Sequence, residues 1–254
     1  MARGDRLNLR RAGTGIAVVA AGLLLQGGAS ALAQARAVPL QFAKQSSSAT
    51  VSGQIKGDAM VDYKVRAAAG QTMSVTLKGS NPQNYFNVLP PGARDVAMYV
   101  AQDGGGYQGV LPTDGEYTVR VYLMRPAARR NEISNYTLTV GVSGKALPPL
   151  SASKDALIPG TPYHASAQVA CTPSVDPTPQ QCEAFVIRRG FDGTATVEVR
   201  GPNAALRRIL FVEGKPVASD SMEPMTSLRT GDVTRVKLGT DETVDIPDAL
   251  VRGG

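Results

Sequence analysis

The sequence has no tryptophan, a single histidine and two cysteines, and only 5% of its 254 residues are aromatic. The histidine is His164 and the cysteines are Cys171 and Cys182, so residues 36–145 contain neither residue type. Zinc and redox centres depend on these side chains, which argues against such an enzyme in the first half. His164 has no catalytic partner at a recognisable spacing, which favours a partly buried, hydrogen-bonded histidine over a catalytic one. We expect no cofactor.

The most apolar segment of the chain is too short to span a membrane. Residues 16–25 form an apolar run of half the length, about 20 residues, that a spanning helix needs. Four arginines precede this run and Ala33-Gln34-Ala35 follows it, which is the pattern of a secretory signal peptide cleaved after residue 35. No cysteine lies near that site to carry a lipid anchor. We therefore expect a periplasmic protein that does not span the membrane and begins at Arg36.

The two cysteines of an exported chain meet an oxidising compartment, where a disulfide persists. A bridge between Cys171 and Cys182 closes a short loop and stabilises the fold by about 3 kcal/mol. Free buried thiols, metal ligands and a redox pair are the alternatives. Neither a C-x-x-C spacing nor a histidine cluster accompanies the cysteines, so we favour a structural disulfide.

The charge balance gives little support to nucleic-acid binding. The formal net charge is +6, but four of the arginines lie within residues 1–35, and the remaining chain is only weakly basic. Export also removes the protein from most nucleic acid, so we expect no such partner. An anionic glycan or a membrane surface fits better as a background attraction.

Turn-forming residues are abundant, with 27 glycines and 17 prolines between short runs rich in valine and threonine. This composition predicts an all-β fold with frequent turns. The periodicity stops over residues 143–151, where Pro148-Pro149 stiffens the chain, which predicts a domain boundary. We expect a signal peptide (1–35), an antiparallel β-sandwich (36–145) and a second small all-β domain (146–254). A loop inside one larger sandwich is the alternative.

Short runs of strand-forming residues predict seven strands in the first domain and six in the second, and six of the first seven alternate apolar with polar residues. The first seven cover 51–55, 63–67, 73–77, 85–89, 96–100, 117–123 and 136–142. The other six cover 163–169, 183–188, 194–199, 209–212, 233–238 and 243–246. Tyr117 follows Asp114-Gly115 at the start of a late strand and has the spacing of a corner tyrosine, with a plain core position as the alternative.

A twelve-residue segment, 125–136, interrupts two of the most regular strands and carries Arg125, Arg129 and Arg130. A turn that only reverses the chain needs about two to five residues, so this one is long as well as charged. The three arginines form the only tight basic cluster of the first domain, and guanidinium groups can pair bidentately with carboxylates, which indicates a segment that binds an anionic partner. A solvated hairpin tip is the alternative.

Carboxylates in the second domain are the remaining candidates for catalysis, because a glycosidase needs only two of them. Asp241, Glu242, Asp245 and Asp248 flank a predicted hairpin and strand. Solvated surface charge explains them more simply. We predict that the chain is not an enzyme.

Three separated motifs resemble the periplasmic inhibitors of goose-type lysozyme. The segment FAKQSSSATVSGQIKG at 42–57 matches the family pattern F-x-K-x-x-S-S-A-x-x-S-G-x-I-K-G. The likeness continues through AGQ at 69–71 and PTDGEY at 112–117. It ends with RPAARRN at 125–131 leading to Tyr136, similar to the family's R-x-x-A-R-[KR]-N segment. It covers about residues 40–142.

The resemblance implies a small antiparallel sandwich that blocks a lysozyme by filling its substrate cleft. Arg125 and Arg129 occupy the inserting positions, and Arg130 and Asn131 complete the loop. The expected supporting residues are Ser47, Ser48, Tyr63 and Tyr136. Pro126 departs from the family, in which some members have a polar residue there. The expected partner is therefore a lysozyme.

Residues 147–254 resemble only exported bacterial proteins without a known activity. A second hypothesis is therefore a non-catalytic module that binds peptidoglycan or an envelope protein, with the more acidic second domain as the partner surface. The third hypothesis is an enzyme that uses carboxylates such as Asp241 and Glu242.

Overall fold

A computed structural model of the chain describes residues 35–101, 105–174, 178–201 and 206–253. Within these ranges the chain is almost entirely β-structure, with seventeen strands and two five-residue helices. Neither helix there is long and apolar enough to cross a membrane. The predicted signal peptide lies outside the described residues except for Ala35.

The first nine strands form two sheets that make up a β-sandwich. The strands are β1 (Arg36–Pro39), β2 (Ser48–Lys56), β3 (Val61–Ala67), β4 (Thr72–Gly79), β5 (Asn84–Leu89), β6 (Tyr99–Val100), β7 (Tyr107–Val110), β8 (Gly115–Leu123) and β9 (Ile133–Ser143). One sheet has the order β1-β3-β8-β5-β6, and the other has the order β2-β9-β4-β7. Only the β1 and β3 pair is parallel among these strand pairs of the described chain.

The sandwich core follows from the alternation of apolar and polar residues. On β8, Tyr117, Val119 and Val121 face inward and are 0% exposed, whereas Arg120 and Tyr122 on either side of Val121 are partly exposed. The inward rows of both sheets join in one apolar cluster. Because each buried apolar Å² contributes roughly 25 cal/mol, this shared face is the main source of the sandwich's stability.

The remaining eight strands form a nearly closed antiparallel barrel. They are β10 (Ala165–Thr172), β11 (Gln180–Arg188), β12 (Ala195–Arg200), β13 (Leu206–Val212), β14 (Lys215–Ser219), β15 (Met225–Thr230), β16 (Val233–Leu238) and β17 (Glu242–Pro247). Their order is β14-β13-β12-β11-β10-β17-β16-β15, so β14 and β15 stand at the two edges of the sheet. A bridge between Cys171 and Cys182 joins the neighbouring strands β10 and β11, which confirms the predicted disulfide.

The second helix, α2 (Asp248–Arg252), packs into the barrel. Its Leu250 and Val251 are 4% and 3% exposed and belong to the barrel's apolar core. Arg188 Nε donates to the Leu250 carbonyl at 3.2 Å, and Arg229 pairs with Asp248 at the start of the helix. The helix is therefore held both by apolar packing and by two arginines of the barrel.

Sandwich and barrel meet at a small apolar joint. Ala69 of the sandwich packs with Leu210 and Ala218 of the barrel, and Leu147 of the connecting segment lies against them. Ala69 and Leu210 are 0% exposed. Ala69 follows the end of β3, so the barrel packs on the end of the sandwich where β3 ends and β8 begins.

Polar contacts reinforce the joint. Thr196 Oγ1 of the barrel donates to the Pro112 carbonyl of the sandwich at 2.7 Å. Arg189 Nη1 lies 2.8 Å from Asp114 Oδ2, and the Arg189 side chain is 0% exposed. The division into two domains near residues 143–151 stays a prediction, because these contacts pack the sandwich and the barrel directly against each other.

The structure confirms the all-β fold class and places strands at most predicted positions. Tyr117 is fully buried and its hydroxyl donates to the Thr113 carbonyl at 2.8 Å, so it is both a corner tyrosine and a core residue. The strand predicted at 96–100 is shorter and comprises only Tyr99–Val100. Four strands, β1, β7, β14 and β15, were not predicted.

The segment after β8 is not a hairpin loop. β8 and β9 lie in different sheets, so the segment between them crosses from one sheet of the sandwich to the other. Residues Arg125–Arg129 within it form the short helix α1. A charged insertion does lie at this place, but it is shorter than the predicted 125–136: residues 125–129 are helical, and β9 already begins at Ile133.

Candidate functional site

Three connections meet at the end of the sandwich that faces away from the barrel. They are residues 57–60, 80–83 and 124–132, which together we call the arginine end. Backbone hydrogen bonds join them: Gly57 N donates to Glu132 O at 2.9 Å, and Met124 N donates to Gln83 O at 2.9 Å. The segment that carries the arginines is thus fixed to two neighbouring turns.

Helix α1 begins and ends through local backbone geometry. Met124 is extended (φ −58°, ψ 147°) and its carbonyl accepts from Ala128 N at 2.9 Å, which closes the first turn. Pro126 lies in that first turn, where its missing N–H removes no helical hydrogen bond. Asn131 has φ 56°, a conformation that asparagine tolerates better than most residues, and it ends the helix. The departure of Pro126 from the family pattern is therefore compatible with this conformation.

The two faces of α1 differ completely in burial. Ala127 and Ala128 are 0% and 6% exposed and join the sandwich core. Arg125 and Arg129 are exposed, and residues four apart on a helix project from the same face. Among the described residues, no carboxylate pairs with either of them. The sandwich therefore holds the small residues of α1 in the core and presents two unpaired guanidinium groups to solvent.

Arg130 differs from the other two arginines because it has a partner. Its Nε donates to Glu132 Oε1 at 2.6 Å, and Asn81 Nδ2 donates to Glu132 Oε2 at 2.7 Å. Hydrogen bonds from Asn81 and then Arg130 hold the pKa of the Glu132 carboxyl below its ordinary value. Neither Asn81 nor this role of Glu132 is evident from the sequence, since the two residues lie 51 positions apart in the chain.

The predicted supporting residues lie in two places. The hydroxyl groups of Tyr63 and Tyr136 form a 2.8 Å hydrogen bond inside the core, and the two rings pack edge to face. Ser47 and Ser48 lie instead near the barrel end of the four-stranded sheet, where Ser48 pairs with Gly141 in the register of β2 and β9. The structure therefore brings Tyr136 near the arginine end and does not bring the two serines there.

A shallow polar groove of about 490 Å³ lies on the outer face of the four-stranded sheet. Side chains of β2 and β9 meet across it in pairs, such as Gln54 Nε2 donating to Asn135 Oδ1 at 2.8 Å. Its lining is Ser52, Gly53, Gln54, Lys78, Asn135, Tyr136 and Thr137. Asn135 follows the segment of α1 closely, so the groove leads toward the arginine end.

His164 has a structural role in the barrel. Arg188 N donates to its Nδ1 at 3.0 Å, which leaves Nε2 to carry the proton and donate to the Leu150 carbonyl at 3.1 Å. The side chain is 7% exposed. His164 therefore links the connecting segment to β11 through hydrogen bonds, in agreement with the predicted partly buried, hydrogen-bonded histidine.

The carboxylates considered for catalysis are largely engaged in ion pairs. Glu242 pairs with Arg207 at 2.9 Å, and Asp248 pairs with Arg229. Asp245 accepts two hydrogen bonds from Arg235, one on each carboxylate oxygen. A cleft of about 290 Å³ lies between the barrel and residues 96–97 of the sandwich. Its acidic lining residues are Asp220, Glu223, Asp241 and Glu242. No group of three metal-ligating side chains comes together in the part of the chain that the structure describes.

Comparison with known proteins points to one class of relatives. A curated inhibitor of g-type lysozyme from Escherichia coli K12 is 29% identical over 116 residues, covering 44% of this chain and 86% of the relative. No known protein-family profile matches the chain.

Solved structures of the same kind of protein are similar to the same share of the chain. The periplasmic inhibitor of g-type lysozyme from Aeromonas hydrophila is 37% identical, covers 43% of this chain and 98% of its own, and has a TM-score of 0.42. A mutant of the Escherichia coli inhibitor is 31% identical over 43% of this chain and 100% of its own, with a TM-score of 0.35. These relatives are inhibitors of g-type lysozyme, in agreement with the prediction that the chain is not an enzyme. The N-terminal 43% or so of this chain thus resembles the periplasmic inhibitors of g-type lysozyme, and these matches leave the barrel without a named relative.

Proposed function

We propose that this chain inhibits a g-type lysozyme and that α1 enters the enzyme's substrate cleft. The observation that supports this most directly is the pair Arg125 and Arg129, exposed on one face of a helix whose other face is anchored in the core. The relatives supply the class of enzyme. The barrel packs at the opposite end of the sandwich, so it leaves the arginine end open.

The chemistry of the proposed contact is charge-assisted hydrogen bonding. Glycosidase clefts carry paired carboxylates, and a planar guanidinium matches a carboxylate through two parallel hydrogen bonds. Arg125 and Arg129 need not break an internal ion pair with the described residues before binding. Removing an arginine paired in a desolvated interface costs about 2–5 kcal/mol, which is roughly 30- to 5,000-fold in affinity.

Lysis of peptidoglycan by a g-type lysozyme in the presence of purified 36–254 tests the proposal. We expect the chain to suppress lysis, and Arg125→Ala with Arg129→Ala to weaken the inhibition at least 30-fold without a large change in thermal stability. The matched control is Arg66→Ala with Arg94→Ala, which removes the same charge from exposed positions of the sandwich outside the arginine end. Undiminished lysis at micromolar protein rejects the function, and equal loss in both double variants rejects the assigned site.

We also propose that the protein acts in the periplasm. Its solved relatives are periplasmic inhibitors, and the disulfide between Cys171 and Cys182 is consistent with an oxidising compartment. Sequencing the N-terminus of the protein released by osmotic shock checks this. Arg36 is the expected first residue, and retention in the cytoplasm would contradict it.

Peptidoglycan itself is a second candidate partner, favoured by the polar groove on the four-stranded sheet. Its hydroxyl, amide and ammonium groups can hydrogen-bond to a glycan strand. A pull-down with insoluble peptidoglycan distinguishes the two candidates. If the groove binds the polymer, Gln54→Ala with Asn135→Ala abolishes the pull-down while the Arg125 and Arg129 variants do not; if no chain is retained, this candidate is rejected.

A further inference from the structure

We infer that Glu132 is a positioning residue that holds α1 in its binding orientation, an inference that rests on the proposed function of α1. The Glu132 carboxylate receives Arg130 Nε at 2.6 Å and Asn81 Nδ2 at 2.7 Å, one on each oxygen. Its backbone is also engaged on both sides, because Glu132 N donates to Ala127 O at 3.1 Å and Glu132 O accepts from Gly57 N at 2.9 Å. A single residue thus joins the C-terminal end of α1 to both neighbouring turns.

The geometry around Glu132 leaves little freedom for the end of the helix. Asn131 and Gly57 both adopt positive φ, 56° and 57°, and face each other closely. A Cβ added at Gly57 would lie 2.7 Å from Asn131 Oδ1 and would displace that side chain, and the positive φ of Gly57 itself favours glycine. Asn81 is itself fixed, since its Oδ1 accepts from Gln83 N at 2.8 Å. These hydrogen bonds therefore connect the turn at residues 80–83, through Glu132, to the last residues of α1. We call this set of contacts the brace.

This arrangement divides the three arginines by role. Arg130 is occupied by Glu132 and serves the brace, whereas Arg125 and Arg129 remain available to a partner. The low pKa of the Glu132 carboxyl agrees with a side chain that stays ionised while it holds both donors. Because the oriented helix is the form that binds, losing the brace reduces the fraction of competent molecules and slows association more than it speeds dissociation.

Proteolysis tests the brace without a lysozyme. Trypsin can cleave after Arg129 and Arg130, and cleavage in the folded protein requires the turn to open. Asn81→Asp keeps the acceptor for Gln83 N but replaces the donor to Glu132 with a second carboxylate, and it leaves the cleaved sequence unchanged. We expect cleavage at these two bonds to become about tenfold faster in Asn81→Asp. Gln108→Glu, which adds the same charge on the exposed face of β7, is the control and should be cleaved at the wild-type rate. Equal cleavage of Asn81→Asp and wild type overturns the inference.

Inhibition kinetics provide the second measurement. With a g-type lysozyme, Glu132→Ala should lower the association rate about tenfold and leave the dissociation rate within twofold, while Glu116→Ala, at an exposed position of β8 outside the arginine end, changes neither. Glu132→Gln, which keeps one acceptor oxygen, should lie between wild type and Glu132→Ala. A wild-type association rate in Glu132→Ala overturns the inference while the proposed function stands. If Arg125→Ala with Arg129→Ala inhibits normally, the proposed site fails, and the proteolysis result still decides whether Glu132 positions α1.

Discussion

Arg189 of the barrel and Asp114 of the sandwich form an ion pair across the joint, with Arg189 Nη1 2.8 Å from Asp114 Oδ2. Burial lowers the pKa of the Arg189 guanidinium and the Asp114 charge opposes that effect. The same side chain donates to Thr196 Oγ1 at 3.0 Å and to the Leu147 carbonyl. One arginine therefore connects both parts of the chain and the segment between them.

Replacing Arg189 with methionine should lower the free energy of unfolding by about 2–3 kcal/mol, because the buried Thr196 hydroxyl and the partly buried Leu147 carbonyl lose a donor and Asp114 loses its ion pair. Urea denaturation of both proteins measures the difference. The control is Arg235→Met, which breaks an exposed pair with Asp245 and should cost less than about 1 kcal/mol. Similar losses in the two variants would contradict the special role of the joint.

Removing the disulfide should destabilise the fold and leave inhibition unchanged. Cys171→Ser with Cys182→Ser frees a short loop between β10 and β11, with an expected cost of about 3 kcal/mol. Thermal denaturation with and without reductant measures this cost. Since the bridge lies in the barrel and α1 lies at the other end of the sandwich, the lysis assay should give wild-type inhibition under conditions where the variant stays folded. A loss of inhibition there would place part of the inhibitory surface on the barrel.

Stability should fall in alkali because of buried tyrosines. Burial raises the pKa of Tyr107 from its ordinary 10.0 to about 12, and burial also raises the pKa of Tyr117 and of Tyr136. Burial favours the neutral hydroxyl, so the contribution of Tyr107 to the stability of the folded chain is fully present below pH 10. This contribution is lost as the pH rises through about 12. Tyr107→Phe should therefore lose less stability than wild type between these pH values. Urea titrations at several pH values measure this, and a constant difference between the two proteins would contradict it.

Pro126 should be replaceable without loss of inhibition. It occupies the first turn of α1, where no hydrogen bond needs its nitrogen, so Pro126→Ala should change stability by about 0.5 kcal/mol and inhibition by less than about threefold. Ala128→Pro is the informative contrast because Ala128 N donates to Met124 O at 2.9 Å. A proline there removes this bond and breaks the helix, at about 3 kcal/mol. The lysis assay compares the two, and equal inhibition by both would show that the helical form is not needed.

The strands that could be predicted from the sequence are those with one buried face. On β16, Thr234, Val236 and Leu238 are buried and the residues between them are exposed, so the alternation is visible in the sequence. β15 has no buried residue in the described structure, and its sequence, MTSLRT, shows no alternation. β14 contains Pro216 and lies at a sheet edge, where proline is tolerated but conceals the strand.

The arginine segment shows what spacing alone leaves open. The positions of Arg125 and Arg129 were evident, but their helical arrangement depends on Ala127 and Ala128 reaching the core, which is a tertiary contact. Consecutive strands usually pair, so the crossing between β8 and β9 was not expected. The hydrogen bond between Asn81 and Glu132 joins residues far apart in the chain, and no local sequence pattern indicates it.

β8 extends from the joint with the barrel to the start of α1 in one uninterrupted strand of nine residues. At about 3.3 Å per residue, it separates the two ends by roughly 30 Å. Material coupled to the barrel would therefore stand a full sandwich length from the arginines. The protein is consequently suited to immobilisation through its barrel, for example on a bead that captures lysozyme from solution while α1 stays free to face its target.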